Sequence, residues 1–91
     1  MRITNHAEIR ARQRFSWKRR TLDRMSRKVF KYGTKPEDTK SKLHKYIVGL
    51  QKDYPHANNI RVYGHDIYFF NNDCLITLYR LPQELIKYTK I

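Results

Sequence analysis

Ninety-one residues, 40% hydrophobic and 13% aromatic, are enough for one folded domain with a modest core, too few for two, and too apolar for a basic disordered tail. The net charge is +12, and eleven of the 20 Lys and Arg residues fall in the first 32 positions, against two acids there, Glu8 and Asp23. Charge this localised is an address for a polyanion, while the longest apolar run, Ile67 to Phe70, is far below the roughly 20 residues that span a bilayer.

In chain order, Thr4 or Asn5 caps a predicted first helix that runs to about Gln13 or Arg14, with Glu8 near its start. Ser16 stands where a second helix wants a cap, and Gly33 where that helix would end in a positive φ. Within it Leu22, Met25, Val29 and Tyr32 recur at steps of three and four and mark a buried face. Pro36-Glu37-Asp38-Thr39 opens a predicted third helix with acids in its first turn. Its apolar set is Leu43, Tyr46, Ile47, Leu50 and Tyr54.

After Asn59 the period changes. Ile60 to Tyr63, Asp66 to Asn71 and Cys74 to Arg80 are rich in β-branched and aromatic residues. Gly64-His65 fits a two-residue hairpin turn, and Asn71-Asn72-Asp73 a slightly longer one. Alternation sorts the meander into a core face of Ile60, Val62, Ile67, Phe69, Cys74, Ile76 and Leu78, and a second face of Arg61, Tyr63, Tyr68, Phe70, Leu75, Thr77 and Tyr79. The second face is expected to be half-covered or to bind a ligand. Pro82 ends the last strand, and Gln83 to Tyr88 predict a short terminal helix. The expected fold is a single α+β domain over residues 1–91, about three N-terminal helices followed by a three- to four-stranded antiparallel β-meander.

Two basic constellations stand out. His6, Arg10 and Arg14 are spaced four apart and form a row on one helix face. Arginine matches phosphate oxygens with a planar fork, and histidine changes protonation near neutral pH, so together they can hold a phosphodiester and move a proton at it. The same spacing also fits a solvated basic helix with an incidental histidine. Arg20, Arg24, Arg27 and Lys31 form a stripe suited to tracking a phosphate backbone, and Arg12, Lys18 and Arg61 extend the cationic set. Thr77 and Tyr79 share a strand face and can position a phosphate or a 2′-hydroxyl, although both residue types are common in strands whatever their role. His44 reads as a boundary residue of the third helix. His56 and His65 lie in a loop and a turn. No His, Cys or Asp set has metal-ligand spacing and no nucleotide-binding loop is present, so neither a metal nor another cofactor is expected. The lone Cys74 allows no internal disulfide, and the opening residues lack the apolar stretch of a signal peptide; both predict a cytoplasmic home.

The opening Ile3-Thr4-Asn5-His6-Ala7-x-x-Arg10-x-x-x-Arg14, with the strand Leu75-Ile76-Thr77-Leu78-Tyr79-Arg80-Leu81-Pro82, resembles small bacterial and phage proteins related to the RelE/BrnT-type toxins and, more broadly, to the barnase–EndoU–colicin–RelE ribonuclease fold class. The resemblance implies N-terminal helices packed on an antiparallel sheet and a toxin-like, metal-independent endoribonuclease. In that reading His6 is the acid/base, Arg10 and Arg14 are phosphate ligands, and Thr77 and Tyr79 are positioning groups. The alternative is a non-catalytic nucleic-acid-binding regulator of phage or mobile-element type that uses the same basic face, with RNA favoured over DNA. A helix-turn-helix within residues 5–32 ranks lower, because its connection is short and its second helix is basic throughout. An acidic, antitoxin-like protein partner is compatible with either reading, and no membrane partner is expected.

Overall fold

The computed structural model describes residues 1–89. Its elements are β1 (Arg2–Ile3), α1 (Asn5–Phe15), α2 (Arg19–Tyr32), a 3-10 turn (Pro36–Asp38), α3 (Ser41–Gln51), β2 (Asn59–Tyr63), β3 (Asp66–Asn71), β4 (Cys74–Arg80) and a 3-10 helix (Gln83–Thr89). The three long strands form the expected antiparallel meander, but the sheet is mixed: its order is β1-β4-β3-β2, and β1 runs parallel to β4. Two residues are too short to show alternation, which is why β1 was not legible in the sequence. Among the described residues, no helix is long and apolar enough to cross a membrane.

Helices cover both faces of the sheet. On one side Ala7 and Ala11 of α1 and Leu22 and Val29 of α2 bury against Tyr68, Phe70, Leu75 and Leu78. On the other, Leu43 and Ile47 of α3 and Leu85 of the last 3-10 helix pack on Ile60, Val62, Ile67 and Phe69. The central strand β3 therefore has four consecutive fully buried residues, Ile67 to Phe70. The expected half-covered face is closed.

A β-bulge corrects the face assignment of β4. Phe69 lies opposite Thr77 while Phe70 lies opposite Leu75, so Ile76 is the extra residue. One inserted residue reverses the alternation beyond it. Leu78 consequently joins Leu75 beneath α1, and Thr77 and Tyr79 turn to the layer of α3.

Local signals were read correctly at some ends and not at others. Thr4 caps α1, its hydroxyl accepting from the Ala7 amide at 3.1 Å. Ser16 does not cap α2. It ends α1 in the left-handed conformation (φ 57°), and α2 begins after Lys18 with no side-chain cap. Gly33 ends α2 at φ −65°, not at a positive φ. The buried face of α2 is Leu22, Ser26 and Val29, with Tyr32 65% exposed. Pro36 opens only the 3-10 turn, and α3 starts separately at Ser41. His44, at the edge of α3 as expected, pairs through Nδ1 with the Pro36 carbonyl at 3.0 Å. The Gly64-His65 turn has its glycine at φ +61°, and the second turn is a two-residue one with Asn72 at φ 55°.

Candidate nucleic-acid interface

Helical geometry divides the N-terminal charge into two surfaces. With Ala7 and Ala11 pointing into the core, a rotation of about 100° per residue sends Glu8, Arg12 and Phe15 to one flank of α1 and His6, Arg10 and Arg14 to the other. Glu8 accepts from Arg19 at 3.2 Å, so the first flank faces the start of α2. Arg14 donates to the Leu78 carbonyl at 2.9 Å, so the second flank faces the edge of β4 beyond the short β1.

That edge is sealed by α1 and the residue before it. The Thr4 amide donates to the Leu75 carbonyl at 3.0 Å and the Thr4 hydroxyl to the Ile76 carbonyl at 2.9 Å. Arg14 continues the row, and its guanidinium carbon stands 4.2 Å from the centroid of the Tyr79 ring. The arginine reaches around the strand edge, which is how a residue on the α1 side meets one on the α3 side. The Tyr79 hydroxyl in turn bonds that of Tyr54, just beyond α3. Three members of the expected catalytic set behave differently from Arg14 and Tyr79. Thr77 is fully buried and its hydroxyl has no partner among the described residues. Arg10 is half-buried, with Nη1 donating to the Gln13 side-chain oxygen at 3.2 Å and Nε buried without a partner among the described residues. His6 is exposed in the first turn, two helical turns from Arg14, or about 12 Å along the axis. The structure thus joins Arg14 to Tyr79, leaves His6 apart from them, and buries Thr77 beneath the surface on the same strand face as Tyr79.

The second surface is the outer face of α2 with the α1–α2 junction. Arg20, Arg24, Arg27 and Lys31 all lie opposite the buried row Leu22, Ser26 and Val29, and all are exposed, as are Arg12, Lys18 and Lys28. Only two ion pairs neutralise it among the described residues: Arg19 with Glu8, and Arg27 with Asp23 at 2.9 Å. The Arg27 hydrogen bond holds the Asp23 carboxyl below its ordinary range. The first turn of α2 has no acid of its own, and among the described residues the one carboxylate that reaches it is that of Glu8 on Arg19. Between the two helices lies an open groove of about 730 Å³, lined by Arg12, Ser16, Trp17, Lys18, Arg19 and Arg20. Arg61 does not belong to this face. It ties the end of α2 to the sheet, donating to the Gly33 carbonyl at 3.0 Å and to Asn59 Oδ1 at 2.9 Å.

Two residues of interest escaped sequence reasoning. Trp17 was readable, since it interrupts the basic run as Phe15-Ser16-Trp17-Lys18-Arg19-Arg20. Tyr54 was not, because nothing local couples it to a strand residue 25 positions away. Among the described residues, no group of three His, Cys, Asp or Glu side chains is arranged to hold a metal ion. Comparison of the chain with protein-family models, with curated proteins and with solved structures gives no match.

Proposed function

We propose that this protein binds nucleic acid, RNA in preference to DNA, through the outer face of α2 and the α1–α2 junction. The observation that carries the reading is the exposed row Arg20, Arg24, Arg27 and Lys31, in which Arg27 alone has a carboxylate partner among the described residues. Cations fixed along one side of a helix neutralise successive phosphates and release counterions, which gives tight, salt-dependent binding with little sequence preference. Titration of a labelled RNA at several salt concentrations tests it. Affinity should fall linearly on logarithmic axes as salt rises, whereas weak binding at low salt with no salt dependence contradicts the reading.

A second reading, a toxin-like and metal-independent ribonuclease, draws on the contact of Arg14 with Tyr79, with Arg10 one turn back on the same helix flank and His6 a further turn away. In this reading a 2′-hydroxyl attacks the adjacent phosphorus and gives up its proton to water, the P–O5′ bond breaks to leave a 2′,3′-cyclic phosphate, and His6 delivers a proton to the departing 5′-oxygen. Arg10 and Arg14 stabilise the charge on the phosphorane. Cleavage of RNA in EDTA that His6→Ala abolishes, with binding retained, supports the reading. Absence of product from the wild type on long incubation leaves the binding module alone, the regulator-type alternative.

A further inference from the structure

The groove at the α1–α2 junction has an aromatic wall set among cations. Trp17 is half-buried: it packs against the core beneath α1 and α2, yet it also lines the groove. Its ring is stacked on that of Phe15, with centroids 4.8 Å apart and planes 24° from parallel. The Phe15 ring is also approached by the Arg80 guanidinium, 5.0 Å from its centroid. The indole is therefore held in a fixed orientation from below. Its Nε1–H makes no hydrogen bond with the described residues. Arg12, Lys18 and Arg20 are all exposed around it, and none is in an ion pair among the described residues.

We propose that Trp17 is a stacking platform for one unpaired base, with the flanking phosphates held by Arg12, Lys18 and Arg20. The proposal rests on the nucleic-acid reading of the basic face and narrows its ligand to single strands. In a duplex the faces of interior bases are covered by their neighbours, so a half-buried indole has nothing to stack on. An unpaired base offers its π-face whatever its identity. Rigid support matters here, because a ring already fixed by Phe15 loses little freedom when a base docks.

The chain has a single tryptophan, so emission excited beyond the tyrosine absorption band reports this position alone. Full-length protein is titrated at low salt with oligo(A), oligo(U), oligo(dT) and an RNA duplex of equal length, following Trp emission and the anisotropy of labelled strands together. Single strands should change the emission saturably, with the midpoint that anisotropy gives, and the duplex should bind without changing it. A shared response to oligo(U) and oligo(dT) supports the platform, since a π-face reads no sugar. Trp17→Leu keeps apolar packing and removes the platform, so single-strand affinity should fall about tenfold with duplex affinity unchanged. Trp17→Phe, which keeps a ring, should lose less. Circular dichroism of both variants checks folding, and the wild-type emission needs no variant at all. Single strands that bind without an emission change, or equally well to Trp17→Leu, overturn the platform while leaving the basic face intact. Failure of every nucleic acid to bind overturns the functional reading itself.

Discussion

Gly33 shows how a residue can be identified correctly as special for the wrong reason. Its backbone is extended, at φ −65°, so glycine is not needed there for a left-handed turn. A Cβ at this position would lie 2.6 Å from the Val29 carbonyl oxygen and 2.7 Å from the Arg61 Cβ. The site is one of close approach between the end of α2 and β2. Gly33→Ala should therefore destabilise the fold by about 1–3 kcal/mol, read as a lower urea midpoint at unchanged slope. Asp66 carries a different kind of cost. One of its carboxylate oxygens is buried without a hydrogen bond, 3.6 Å from Arg80 Nε, and burial raises its pKa against the opposing pull of Arg80 and His65. The folded chain thus keeps a proton that the unfolded chain releases near the ordinary aspartate value of about 3.9. Stability from this group falls as pH rises from there through the raised pKa, and is level above it. Asp66→Asn should be more stable than the parent at neutral pH, with the difference closing as pH drops below the ordinary range. A constant difference at all pH values removes ionisation of Asp66 as the cause. The Arg80 pair lost in the variant is little compensation, since Arg80 is 65% exposed.

At the scale of elements, α1 and α2 divide the work. The inward residues of α1, Ala7 and Ala11, are small, so the helix comes close to the sheet and brings Arg14 within reach of the Leu78 carbonyl. Together with Thr4 it satisfies carbonyl groups of a strand edge that would otherwise invite pairing with another chain. Its arginine row is thus partly structural, which composition alone does not reveal. The other helix, α2, spends its outer residues on solvent and carries the binding proposal. Replacing Arg20, Arg24 and Lys31 singly by Gln should weaken RNA binding with little change in stability, because all three are exposed. Each replacement should also reduce the logarithmic salt slope by about one if it removes one phosphate contact. Arg61→Gln is the contrasting case: it should lower stability through the lost Gly33 tie and leave the slope unchanged. An unchanged slope in all three α2 variants would move the binding face elsewhere.

For the whole molecule, a net charge of +12 on 91 residues means that the folded state repels itself. Screening should relieve this, so the thermal midpoint of the free protein should rise with added salt over the range in which the Debye length shortens from about 30 to 10 Å. A falling midpoint would show that the surface ion pairs outweigh the repulsion. The sequence by itself determined the order of the helices before the three long strands, the meander and its Gly64 turn, a cap for α1 at Thr4 or Asn5, and the basic outer stripe of α2. These depend on neighbours a few residues apart, where side-chain period and backbone preference act directly. Tertiary structure decided the rest: the parallel β1, the closing of both sheet faces, and the bulge at Ile76 that carries Thr77 and Tyr79 away from α1. A two-residue strand has no period to read, and one inserted residue inverts a face without altering composition. The N-terminal charge and its two rows were visible from the first, but that Arg14 is spent on the edge of β4 while the α2 stripe stays in solvent required knowing which side of α1 meets the sheet. Helical spacing groups residues on a face; only packing says what that face meets.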